Sequence, residues 1–181
     1  MEPSIKQNMK PEGKHPNDSI VIKSELVLPN DTNTLNNLMG GRLMYLMDVV
    51  GAICALRHCN NGVVTASVDN VSFKEPIALG NIVTLQAKIT RAFNTSMEVH
   101  IEVWAEDVLS RKKLKSNEAF FTFVALTPDK KPLSIPEVIP QTEREQELFD
   151  GALRRRQLRL ILAGRMKPAE ATELKALFDS L

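Results

Sequence analysis

The chain has 181 residues, enough for one domain with tails and a sizeable core. Hydrophobic residues make up 43% and charged residues 25%, and the formal net charge is +1, so there is neither a basic field for nucleic acid nor an acidic tail. No apolar run reaches the roughly 18 residues that suggest a membrane span, and residues 1–18 are polar with Pro3, Pro11 and Pro16, unlike a secretory leader.

In chain order, residues 1–18 are expected to form a flexible tail. Residues 19–28 read as a strand that Pro29-Asn30-Asp31 ends, and residues 31–41, DTNTLNNLMGG, read as a loop. Residues 42–59 have good helix formers and no proline. Leu43, Met47, Val50 and Cys54 make one apolar stripe there, and Leu46, Val49, Ile53 and Leu56 make another. A helix apolar nearly all round is expected to be wrapped by protein. Arg57 and His58 fall in its last turn, where positive charge suits the helix dipole, and Asn60-Asn61-Gly62 stops it.

Strands follow. Residues 63–73 are rich in Val, Thr and Ser; Val83, Leu85, Ala87 and Ile89 alternate with polar residues, as do Met97, Val99, Ile101 and Val103. Residues 116–127 read as a further strand, with Arg111-Lys112-Lys113 as a link before it. Residues 141–181 are helical in composition, with a first helix over 143–162 carrying acids early and arginines late, and a short second one from Pro168. One long helix among strands joined by short turns is an α+β plan with a mainly antiparallel sheet. Cys54 and Cys59 read as free thiols on different helix faces, in a reducing cytoplasm.

Asp48 breaks the helical pattern. It sits among Met47, Val49 and Val50, where aspartate is a poor helix former and an unpaired carboxylate is costly. Gly51, Ala52 and Ala55 on its face are small and leave room for a ligand or a second backbone. The competing explanation is that Asp48 caps a loop or meets a basic side chain across a subunit contact, since structural ion pairs also produce buried acids. Gly40-Gly41 begins the helix, where N–H groups without internal partners can bind a developing oxyanion; turn chemistry alone also accounts for the glycines. Gly40 lies about 12 Å along the helix from Asp48 at ~1.5 Å per residue. Asn33, Asn36 and Asn37 crowd the preceding loop as turn formers, one of which is available to orient a water. No metal-ligand spacing, phosphate loop or nucleophile–histidine set is visible. The Arg154–Arg159 arginines read as a solvated face, with phosphate contact as the minority alternative.

The stretch DTNTLNNLMGGRLMYLMDVVGAICALRHC, with VSFKEPIALGNIVTLQAKI and TSMEVHIEVWAED after it, resembles the hotdog-fold acyl-CoA thioesterases of the YciA and brain acyl-CoA hydrolase type. The resemblance spans roughly residues 20–127 and implies a long central helix wrapped by a curved antiparallel sheet. The chain then divides into a tail (1–18), a hotdog domain (19–130) and a C-terminal linker with helical extension (131–181). It implies acyl-CoA hydrolysis with Asp48 as general base or nucleophile, Asn33 placing water or carbonyl, and the Gly40 N–H polarising the thioester. Related proteins often carry a histidine before the two glycines; Met39 stands here, so the oxyanion site rests on backbone groups. Expected CoA contacts are Met39, Gly41, Val71, Ser72, Phe73, Lys74, Arg91, Thr95 and Ser96, with Lys74 and Arg91 for the phosphates. The resemblance also implies a dimer whose site lies between subunits, Asn33 of one facing Asp48 of the other, and a trimer of dimers. No metal or cofactor, nucleic acid or membrane partner is expected. The alternative is a non-catalytic hotdog module that senses acyl-CoA; a hotdog dehydratase or hydratase is disfavoured because no histidine of this sequence lies where it would pair with the helix acid.

Overall fold

Alternation decides which way each strand faces. Along β3 (Ile82–Ala92), Val83, Leu85, Ala87 and Ile89 are buried, while Thr84, Gln86 and Lys88 between them are half-buried on the opposite face. The computed structural model describes residues 12–69, 71 and 73–179, and the expected contact Ser72 lies outside them. β1 (Val21–Leu26), β2 (Gly62–Asp69), β4 (Ser96–Asp107) and β5 (Lys112–Leu126) complete one antiparallel sheet in the order β1-β3-β4-β5-β2. This is the expected α+β hotdog plan. Among the described residues no helix is long and apolar enough to cross a membrane.

The long helix α1 (Gly40–Cys59) lies across the inner face of the sheet. Its first stripe, Leu43, Met47, Val50 and Cys54, is fully buried against the sheet, with Leu46 beside it. Each such side chain contributes about 1.5–3 kcal/mol on burial. Gly51 is required by this packing. A Cβ there would stand 3.0 Å from the Phe123 ring and 3.2 Å from Ile101, so the small residue brings helix and sheet together and does not make room for a ligand. Beyond Leu46, the second stripe is only partly wrapped within the chain. Val49 and Ile53 are half-buried, Leu56 is exposed, and Tyr45 is 57% exposed.

Several expected boundaries move. The basic stretch from Lys112 belongs to β5, paired with Asp107 and Glu106 across the hairpin, which favours it electrostatically. β2 ends at Asp69, so Val71 and Phe73 leave the sheet. Residues 12–18 of the expected flexible tail are held to the body: Lys14 N–H donates to Glu137 O at 2.8 Å, and Pro16 is buried. Lys14 Nζ also donates to Arg57 O and His58 O at the end of α1. Lys14 thus joins Arg57 as a cation at that helix end. His58 is buried instead, its Nε2–H donating to Pro136 O at 3.0 Å, and burial lowers its pKa.

The C-terminal extension folds back. α2 (Glu143–Leu162) begins on a Thr142–Glu145 capping box and lies on the outer face of the sheet; α3 (Thr172–Asp179) packs on α2. Arg155 anchors α2. Its Nη2 donates to Glu98 Oε1 at 2.7 Å and its Nε to Oε2 at 3.1 Å, over the Phe120 ring at 3.9 Å. Glu98 is 1% exposed and also accepts from Thr90 Oγ1 at 2.6 Å. Arg155, Arg156 and Arg159 are thus engaged by groups of the sheet and its loops and do not form a solvated face.

Candidate active site

Asp48 projects from α1 toward β2. It is half-buried, and Thr65 Oγ1 donates to its Oδ1 at 2.6 Å. No ion pair within the chain engages it among the described residues. β2 is an edge strand paired only with β5, and its register shifts between Thr65 and Ser67. That bulge is local irregularity of the kind that re-aims side chains. Val64 and Val68 stand exposed on the same strand.

The loop asparagine and the helix start meet elsewhere. A cavity of about 350 Å³ is lined by Asn33, Asn37, Gly40, Phe73, Lys74 and Asn117 among others, and Asp48 is not in its wall. Asn33 Oδ1 accepts from Leu35 N–H at 2.9 Å and Asn37 N–H at 3.2 Å, closing the loop on itself. Its Nδ2 donates to no protein atom among the described residues. Gly40 begins α1 with no side-chain cap, and a Cβ there would meet the Phe73 ring at 3.3 Å. The Met39 N–H donates to Asp31 O, so Met39 closes the loop, and Gly41 faces open space. Arg42 ties the helix start to Asp31 at 2.9 Å and Glu25 at 3.0 Å.

A third group of residues converges under α2. Thr95, Ser96, Ser67, Thr122, Arg156 and Arg165 line a cavity of about 320 Å³. Arg156 Nη1 donates to Ser96 Oγ at 3.1 Å and its guanidinium lies 4.4 Å from the Phe93 ring. Burial, then the neighbouring Arg159 and Arg165, lower its pKa, the signature of a cation without a counter-charge. Arg159 is paired with Asp69. The buried hydroxyls Ser67 Oγ and Thr122 Oγ1 find no partner and line the same space. An anion in this cavity would meet Arg156 and Arg165.

The expected residues therefore divide. Asn33, Gly40, Phe73 and Lys74 come together in the first cavity, and Thr95 and Ser96 in the arginine-lined one. Arg91 joins neither: its guanidinium stacks on Phe149 at 4.1 Å and its Nη1 donates to Phe149 O, so it serves α2. Val71 is half-buried against the core. Thr65, Ser67, Thr122 and Arg165 were not singled out from sequence. The thiols are not part of any site: both are free and buried, and burial pushes Cys54 up to about 12.

The thioesterase superfamily model matches residues 35–111. The uncharacterized acyl-CoA thioester hydrolase YkhA of Bacillus subtilis is 39% identical over 145 residues, covering 80% of this chain and 84% of its own. A hexameric acyl-CoA thioesterase of known structure is 36% identical, with a TM-score of 0.82 over 84% of this chain and 97% of that one. The acyl-CoA hydrolase of Staphylococcus aureus, solved with butyryl-CoA and CoA, is 35% identical with a TM-score of 0.78, over 84% and 94%. That hydrolase has also been solved with an aspartate, an asparagine and a threonine each changed to alanine.

Proposed function

The chain belongs to the thioesterase superfamily, and from that membership we infer that it is an acyl-CoA thioester hydrolase, releasing a carboxylic acid and free CoA. The observation that carries a mechanism is the Asp48 carboxylate, held on one oxygen by Thr65 and engaged in no ion pair among the described residues. The three residues altered in the S. aureus hydrolase are spaced along that chain as Asn33, Asp48 and Thr65 are here, which supports giving these three a shared role.

In the mechanism we propose, Asp48 Oδ2 takes a proton from a water whose oxygen attacks the thioester carbonyl. The Gly40 N–H and the free Asn33 Nδ2–H donate to the oxyanion that forms. Collapse expels the CoA sulfur, and Asp48 returns the proton. A thioester is activated enough that an oriented water, a base worth about 10²–10⁴-fold and an oxyanion site suffice. No metal or cofactor takes part. The arginine-lined cavity is the proposed seat for CoA phosphates, with Arg156 and Arg165 as the charges, Thr95 and Ser96 as rim donors, and Lys74 contributing from the first cavity.

Asn33 and Gly40 share one cavity and Asp48 stands outside it. We propose that a second copy completes the site, docking along the open edge of β2 where Val64 and Val68 are exposed. Three such dimers would build a hexamer, the assembly named for one similar structure. The buried free thiols favour a cytoplasmic setting.

Thiol release from a panel of acyl-CoAs tests the activity. The shared site is tested by mixing two inactive variants, Asp48→Ala and Asn33→Ala, in one expression host. A mixed dimer holds one intact site, so random pairing recovers roughly a quarter of parental activity. No recovery would mean that each chain builds its site alone.

A further inference from the structure

On the outer face of the sheet, away from Asp48, Glu102 of β4 stands directly opposite Glu118 of β5. Like charges in that register destabilise a sheet unless a cation joins them. His100, two residues before Glu102, shares their face. Its ring stacks on Phe120 with centroids 4.7 Å apart, which fixes the direction of the imidazole. His100 is only 5% exposed, and its Nε2 makes no hydrogen bond although it lies 3.4 Å from Glu118 Oε2. A buried ring nitrogen left without a partner beside two carboxylates needs an explanation.

One donor atom from each of the three residues can be chosen so that all lie within 4.8 Å of one another. Two ligands each about 2.1 Å from a tetrahedral zinc ion are about 3.4 Å apart, which is the His100–Glu118 separation. Glu102 supplies the third donor atom within the same 4.8 Å group. His100 and Glu102 also line a cavity of about 260 Å³ below the start of α2. The other charges there are spent: Lys88 pairs with Glu145 at 3.0 Å and Arg144 with Glu147 at 3.0 Å. Lys115 Nζ donates to Glu102 Oε1 at 2.7 Å and to Glu118 Oε2 at 2.6 Å, with its side chain 39% exposed. The register shift between Val103 and Trp104 accompanies its arrival on this face.

We propose that His100, Glu102 and Glu118 form a binding site for one divalent transition-metal ion of the zinc class, whose position the Lys115 ammonium holds in the metal-free chain. Imidazole with carboxylates suits zinc, whereas magnesium favours oxygen ligands alone. On binding, the two carboxylates exchange a single positive charge for a double one and Lys115 swings into solvent. The ion then joins β4 to β5 and takes no part in thioester chemistry. No metal spacing is visible along the sequence because the three ligands meet only through strand pairing.

The test is isothermal titration of the full, untagged, chelator-treated chain with zinc chloride. One ion per chain is expected. Glu118→Gln and His100→Gln should each abolish the signal, and Lys115→Met should tighten binding at least about ten-fold by removing the competitor. Magnesium should give no signal. If His100→Gln fails to fold by circular dichroism, Glu102→Gln and Glu118→Gln carry the test from half-buried positions. Zinc binding that none of these substitutions changes, or no binding by either the parent or Lys115→Met, overturns the site.

Discussion

The Thr65 hydroxyl reaches from an edge strand to Asp48 Oδ1 at 2.6 Å, tying the carboxylate to one rotamer while its other oxygen stays available. A hydrogen bond to a charged group contributes about 1.5–3 kcal/mol. Thr65→Val should therefore lower kcat by roughly ten-fold or more, and Thr65→Ser should restore most of it. Asp48→Ala should cost about 10²–10⁴-fold in kcat, the range of general base catalysis. Free-thiol release under saturating acyl-CoA, with the assembly checked by size exclusion, measures both.

The arginine-lined cavity predicts a different kinetic pattern. Arg156→Ala should raise KM for acyl-CoA about ten-fold and leave kcat nearly unchanged, since it removes binding shared by ground and transition states. An acyl-pantetheine thioester, which lacks the nucleotide phosphates, should not notice the substitution. If KM for both substrates rises equally, the cavity does not hold the phosphates.

Arg155 concerns stability. Removing it strands Glu98, 1% exposed, with Thr90 as its remaining side-chain partner. Breaking a buried pair typically costs about 3–5 kcal/mol, and the partial exposure of Arg155 argues for the lower end. Urea unfolding of Arg155→Ala should show that loss. Gly151→Ala should weaken the same contact, because a Cβ there would lie 2.7 Å from Arg155 Nη1.

His58 sets an acid limit. Burial lowers its folded-state pKa below the ordinary 6.5. As pH falls below about 6.5 the unfolded histidine binds a proton that the folded one refuses, so the unfolded state binds more protons and stability drops. Above that value the contribution is flat. His58→Gln should be less stable at pH 7.5 through lost packing, and should show a shallower decline between pH 7.5 and 5.5. Equal slopes for parent and variant would refute the buried neutral ring.

Asp48 stands out in the sequence as an acid in an apolar helix, whereas an asparagine in a turn-rich loop and a glycine at a helix start are ordinary there, and only the family resemblance points to Asn33 and Gly40. The strands were legible by alternation. Thr65 was not, because threonine is ordinary in a strand and its partner is set by how α1 crosses β2. Ser67 and Thr122 were hidden likewise; a bulge aligns them, and no periodicity encodes it. His58 misled because a histidine at a helix end reads as a cation until the core around it is known. Arg91 misled because charge alone does not reveal that Phe149 will receive it.

The open edge of β2 bears on how the enzyme must be assayed. If catalysis needs two chains, turnover should carry a higher reaction order in protein than one: dilution below the dissociation constant of the dimer should depress total activity more steeply than the protein concentration itself falls, so that specific activity declines with dilution. Preparations compared at different dilutions would then seem to differ in quality when they differ only in how many subunits have met.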